Sequence, residues 1–107
     1  MVGALPVAVG QMRRARGHGY GTGLVEAANP FLAEGTSLVG HEFHYSRIQD
    51  DCRGVTTVMA LKRGVGVGRS RDGISVGGVV ASYTHFHALG TPTWAPGMVR
   101  AAQGRTA

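Results

Sequence analysis

Cysteine occurs once in these 107 residues, at Cys52. A single cysteine closes no internal disulfide, so a reducing cytoplasm is the expected compartment. Acidic residues are also scarce, six against eleven Lys and Arg, which leaves a formal charge of +5. Long apolar runs are missing: nothing approaches the ~18 residues of a membrane span. The opening run Val2–Val9 is short and has no basic residue before it, which argues against a signal peptide. Aromatic residues make up only 7% and do not interleave with the basic clusters at Arg13, Arg14 and Arg16 or at Lys62, Arg63, Arg69 and Arg71. With no helix-turn-helix or RNA-binding signature either, nucleic acid is not the expected partner. A polycarboxylate ligand suits the charge at least as well.

What is abundant is glycine, 18 residues, far above the usual ~7%. So many glycines imply many tight turns between short elements. Val2–Val9 reads as a strand covered on both faces, as in a parallel sheet, and Gln11–Gly17 as a connector. Strands follow at Gly19–Ala27, Ser37–Ile48, Val55–Leu61 and Gly77–Tyr83. Turn signals stand at Asn29-Pro30, Glu34–Thr36 and Asp50-Asp51, and Gly64–Gly73 is a glycine-rich turn region. Thr91–Gln103 is the one good helix candidate, with Pro92 near its first turn and Trp94, Met98 and Ala102 on one face. A free-standing antiparallel domain and a piece of a larger α/β domain both satisfy this pattern.

Several motifs invite chemistry. Gly73-Ile-Ser75-Val-Gly77 has the G-x-S-x-G spacing of a hydrolase elbow, but that elbow needs a helix after the serine, and no acid follows Ser75. Gly64-Val-Gly66-Val-Gly68 lacks the third glycine of a dinucleotide loop and the Gly-Lys-Ser/Thr of a nucleoside-triphosphate loop, so it reads as a turn. Cys52 lies beside Asp50 and Asp51, which disfavour its thiolate, so it reads as incidental. The histidines concentrate in Gly40-His41-Glu42-Phe43-His44-Tyr45-Ser46 and Tyr83-Thr84-His85-Phe86-His87. In a strand, His41, Phe43 and Tyr45 share one face and Glu42, His44 and Ser46 the other. His85 and His87 could pair with Glu42 or His44 around a metal. The plainer alternative is a structural or binding β-domain whose histidines are hydrogen-bonded polar residues.

These two segments carry a resemblance. Gly40-His-Glu-Phe-His-Tyr-Ser46 and Ala81-Ser-Tyr-Thr-His-Phe-His-Ala88 resemble two signatures of the cobyrinate a,c-diamide synthase family, in the family's order and separation. Leu5-Pro6, Gly19-Tyr20, Asn29-Pro-Phe-Leu32 with Gly35-Thr36, and Gly90-Thr-Pro-Thr-Trp-Ala95 resemble further stretches, so the likeness runs along essentially the whole chain. Thr93 departs from the family, which often has Glu there.

The resemblance implies that residues 1–107 are the C-terminal part of a class I glutamine amidotransferase domain: α/β, flavodoxin-like, strand-rich with a C-terminal helix. It implies an enzyme that uses glutamine and ATP to amidate acetate side chains of a corrin or other tetrapyrrole, in cobalamin biosynthesis. His85 matches the histidine that assists the nucleophilic cysteine. His87 stands where classical relatives have Glu, implying a Cys–His dyad. His41, Glu42, His44 and Tyr83 are candidates for binding substrate. The family's cysteine turn lies upstream of the Leu-Pro strand, and its ATPase domain, with ATP and Mg²⁺, is separate. The chain is therefore expected to be a fragment or one piece of a split enzyme, to bind no cofactor or metal of its own, and to be inactive alone.

Overall fold

The computed structural model describes residues 5–15, 17–48, 55–87 and 89–104. Cys52 and residues 2–4 of the first expected strand lie outside them. Eight strands and one helix follow in chain order: β1 (Val9–Gln11), β2 (Gly17–Val25), β3 (Ser37–His44), β4 (Ser46–Ile48), β5 (Thr57–Arg63), β6 (Arg71–Val76), β7 (Val79–Ala81), β8 (His85–Phe86) and α1 (Trp94–Ala102). β1 and β4 form a two-stranded ribbon. The other six make one sheet in the order β7-β6-β5-β2-β3-β8.

Every described strand pair is antiparallel. This corrects the parallel-sheet expectation for the first strand. The residues from Val9 pair with β4 instead, Val9 opposite Ile48. Elsewhere β2 and β3, β5 and β6, and β6 and β7 follow one another in the chain and pair directly, through connections shorter than the dozen or more residues that a parallel crossover needs. β6 and β7 are linked by Gly77-Gly78 alone, with Val76 opposite Val79, and Gly77 takes the positive φ of 57° that such a two-residue turn demands.

Other expected boundaries shift for local reasons. Ser37–Ile48 is broken at Tyr45, so its last residues serve the ribbon rather than the sheet. The expected Gly64–Gly73 turn ends early, because Arg71–Val76 is a strand whose Asp72, Gly73 and Ile74 are buried. The expected Gly77–Tyr83 strand shrinks to β7, with β8 starting afresh at His85. The helix starts at Trp94 rather than Thr91, because the Thr91 hydroxyl is engaged elsewhere, bonding the backbone of Val39 on β3. Pro96 rather than Pro92 then occupies the first helical turn, where a missing N–H costs no intrahelical bond.

Two apolar clusters hold these pieces together. Val25, Leu32, Leu38, Val58 and Met59 form one, with Phe31, Phe86 and Trp94 packed against it, so α1 and the loop before β3 cover this part of the sheet. Asn29 shapes that loop. Its side-chain oxygen accepts from the N–H groups of Phe31 and Leu32, which turns both residues inward. Ile48, Val67 and Ile74 form the second cluster, joining β4, β6 and the glycine-rich turn. Nine apolar side chains are buried among the described residues. At ~1.5–3 kcal/mol each, that core is modest, and buried polar groups have correspondingly more to decide.

Candidate functional site

Strand β3 carries the first histidine segment and divides it by face, as the period of two requires. On the inner face lie Glu42, 2% exposed, and His44. Glu42 Oε1 accepts the N–H of Val65 at 2.8 Å and of Gly66 at 3.0 Å. Its Oε2 accepts from Gly66 at 3.0 Å and meets His44 Nε2 at 2.7 Å. His44 Nδ1 donates to the Ser46 carbonyl at 2.9 Å. Tyr83 stacks on the His44 ring with centroids 3.7 Å apart and planes within 8°, and its hydroxyl meets Ser46 Oγ at 2.8 Å. Room for this network comes from β2, where a Cβ at Gly17 would collide with both Glu42 and His44.

The outer face is open. β8 pairs with β3 so that His85 lies opposite His41, their rings edge-on with centroids 5.0 Å apart. On the other side of β3, Tyr20 pairs with His41 and His18 with Phe43. The His18 and Phe43 rings are 4.8 Å apart, and Phe43 meets Tyr45 at 5.7 Å. Tyr20 is 74% exposed and Phe43 54%. The residues singled out from the sequence therefore fall into two groups. His85 and His41 share an exposed, aromatic-rich face. Glu42, His44 and Tyr83 form a closed hydrogen-bonded unit behind it.

Asp72 on β6 was not singled out from the sequence. It is fully buried. Its Oδ1 accepts from the N–H of Gly73 at 3.0 Å and of Tyr83 at 3.1 Å; its Oδ2 accepts from the N–H of Thr84 at 2.9 Å and the Thr84 hydroxyl at 2.6 Å. Burial pushes the Asp72 carboxyl above its ordinary 3.8, with the four hydrogen bonds opposing that shift. The only signal in the sequence is an acid set between Arg71 and Gly73, which looks like an ordinary turn.

The remaining motifs sort as follows. Ser75 lies inside β6 and is followed by a hairpin rather than a helix, so it forms no elbow. In the glycine-rich turn, Val65 and Gly66 donate to Glu42, Val67 to the Arg71 carbonyl and Gly68 to that of Val65. Those amides are committed, so the loop does not fit a nucleotide phosphate. The metal reading required Glu42 or His44 beside His85 and His87. The faces of β3 separate them, His87 Nδ1 accepts the Leu89 N–H, and among the described residues no group of three or more His, Cys, Asp or Glu is placed to hold an ion.

Comparison with known proteins agrees with the arrangement of motifs. The family profile of the CobB/CobQ-like glutamine amidotransferase domain matches residues 1–93. Cobyrinate a,c-diamide synthase of Magnetococcus marinus is 36% identical over 104 residues, covering 94% of this chain and 21% of that protein. The enzyme of the same name from Methanosarcina acetivorans is 38% identical over 104 residues, covering 95% of this chain and 20% of that protein. That of Methanothermobacter thermautotrophicus is 35% identical over 102 residues, covering 95% and 23%. The chain thus spans about a fifth of the length of these curated relatives. No solved structure matches it. No helix among the described residues is long and apolar enough to cross a membrane. On the extent of the match, the chain belongs to the CobB/CobQ-like glutamine amidotransferase domain family.

Proposed function

We propose that this chain is the histidine-bearing piece of a glutamine amidotransferase acting in cobyrinate a,c-diamide synthesis, with His85 as the base of its glutaminase site. One observation carries the reading. His85 stands on an exposed edge strand, with its imidazole on the open face, while His44 is locked into a closed network. The cysteine partner belongs to the portion of the amidotransferase that precedes the Leu5-Pro6 region in the family. There the described antiparallel sheet adjoins a flavodoxin-like half.

The chemistry asked of His85 is simple. The imidazole takes the thiol proton, and the thiolate attacks the carbonyl carbon of the glutamine side chain. The imidazolium returns the proton to the departing nitrogen, ammonia leaves, and a thioester forms. Water then attacks the thioester, His85 again moving the proton, and glutamate and the thiol are regenerated. Ammonia goes on to an acetate side chain of the tetrapyrrole. In the family, activation of that carboxylate would be supplied by ATP with Mg²⁺ in the separate ATPase domain, and no step on this chain runs through the nucleotide. His41, opposite His85 on β3, is assigned by this reading to the glutamine side of the site. The basic surface suits a polycarboxylate corrin, and the reaction belongs in the cytoplasm.

The test is glutamate release from glutamine, with the chain alone and then mixed with the family's cysteine-bearing portion. Activity only in the mixture is expected, abolished by His85→Ala and unchanged in Cys52→Ser. Activity in the chain alone, sensitive to Cys52→Ser, would overturn the reading. Persistent silence in the mixture would favour a non-catalytic β-domain.

A further inference from the structure

We infer that Asp72 is a positioning residue of this site, fixing through Tyr83 and Thr84 where His85 presents its imidazole. The inference rests on the reading of His85 as the base. β8 is only two residues long, paired to β3 through Gly40–Phe86 and His41–His85. So short a strand has too few ladder bonds to hold its own register. Its register is set from outside. Of the four donors to the Asp72 carboxylate, three belong to Tyr83 and Thr84, the two residues just before His85. At the other end, Thr91 is fully buried and bonds both the N–H and the carbonyl of Val39. His85 is thus strung between two buried anchors, and the one closer to it is a carboxylate.

The choice of a carboxylate is informative. Burying one is costly, and an apolar residue would cost less. Three donors from the Tyr83–Thr84 turn and the Gly73 N–H together require two oxygens that each accept two. An amide supplies one acceptor oxygen and points its NH₂ at N–H or O–H groups that need an acceptor. The carboxylate therefore trades stability for a defined backbone path into His85. A displacement of about 1 Å at a general base is enough to cost ~100-fold in rate.

The test uses the chain mixed with the cysteine-bearing portion, and compares Asp72→Asn, Thr84→Val, Thr84→Ser and His85→Ala. The expected result is a fall in kcat of ~10-fold or more for Asp72→Asn and Thr84→Val, with KM for glutamine changed less than twofold. Thr84→Ser, which keeps the hydroxyl, recovers most of the rate. Imidazole nitrogen resonances of His85 move in the two impaired variants, while those of His18 stay in place. Thr84→Val decides the matter if Asp72→Asn fails to fold, since it removes a single hydrogen bond with little change of shape. If His85→Ala is inactive but folded Thr84→Val keeps wild-type kcat and wild-type His85 resonances, the positioning role is wrong and the base assignment stands. If His85→Ala is as active as wild type, the base assignment itself falls and the role of Asp72 with it.

Discussion

Glu42 and Asp72 are both acids buried against backbone N–H groups, and each ties a loop segment to the sheet. For Glu42 that segment is the glycine-rich turn. Glu42→Ala would leave the amides of Val65 and Gly66 without their acceptor, and the His44 Nε2 contact would go as well. An orphaned buried donor costs about 1–3 kcal/mol, so a loss of roughly 2–4 kcal/mol is expected, read by urea unfolding. A loss below half a kcal/mol would mean that water replaces the carboxylate freely. Asp72 makes a different prediction, one of pH. Its folded pKa lies above the unfolded 3.8. As pH rises from that value, the unfolded chain releases its proton first, the native state holds more protons, and stability falls through the raised pKa. The wild type's margin over Asp72→Asn should therefore be widest in acid and narrow as pH rises, by chemical denaturation at a series of pH values. A margin that is constant or widens with pH would show that the four hydrogen bonds outweigh burial. Neither acid's role was legible in the sequence. Alternation placed Glu42 on the face opposite His41, which is correct, but its backbone partners Val65 and Gly66 lie more than 20 residues away in a turn of no distinct pattern.

Elements were legible where their signal was local. The β-branched run after Val55, the His41/Phe43 against Glu42/His44 division, the glycine-rich turn and the terminal helix all follow from period and turn chemistry, and all are present. What could not be read is what depends on remote pairing. β8 is a strand only because β3 offers it an edge. Gly40 makes that approach possible, since a Cβ there would overlap the His85 carbonyl and lie 2.8 Å from Thr84 Cγ2. The helix shows the same dependence in its one buried residue, Gly97. By propensity alone Gly97→Ala should stabilise α1 by about 1 kcal/mol. Yet the added methyl would overlap the Phe31 carbonyl, a backbone atom that cannot rotate away. Moving α1 outward to relieve that overlap costs packing of Trp94 against the core, and overpacking of this kind costs about 1–3 kcal/mol. The contact should win. Gly97→Ala is expected to lower Tm and to change Trp94 fluorescence, whereas a raised Tm would show that α1 can shift without loss.

At the scale of the whole molecule, the sheet is covered unevenly. Between α1 and the β6–β7 hairpin an open cleft of about 440 Å³ is lined by Phe31, Met59, Val80, Phe86, Trp94 and Met98. Met59 belongs to the first apolar cluster and Phe31, Val80, Phe86 and Trp94 pack against it, so core and surface are continuous here. The indole N–H of Trp94 is buried there without a hydrogen-bond partner among the described residues, which a well-sealed interior would rarely tolerate. Such a cleft should take up an apolar dye such as 1-anilinonaphthalene-8-sulfonate, but that dye is anionic and the chain carries +5, so charge offers a competing explanation. Salt separates the two. At 0.5 M salt, screening acts over a few ångströms, roughly 4–5 Å, and weakens surface attraction while leaving apolar burial intact. Met98 supplies the second control, since it lines the cleft yet is 50% exposed, so a charge there should be borne by the fold. Bright dye fluorescence that survives 0.5 M salt and falls at least twofold in Met98→Glu, with the far-ultraviolet spectrum unchanged, is the expected outcome. Fluorescence lost in salt, or equal in the two proteins, would mean that the dye reads the arginine-rich surface and that the cleft is closed in solution.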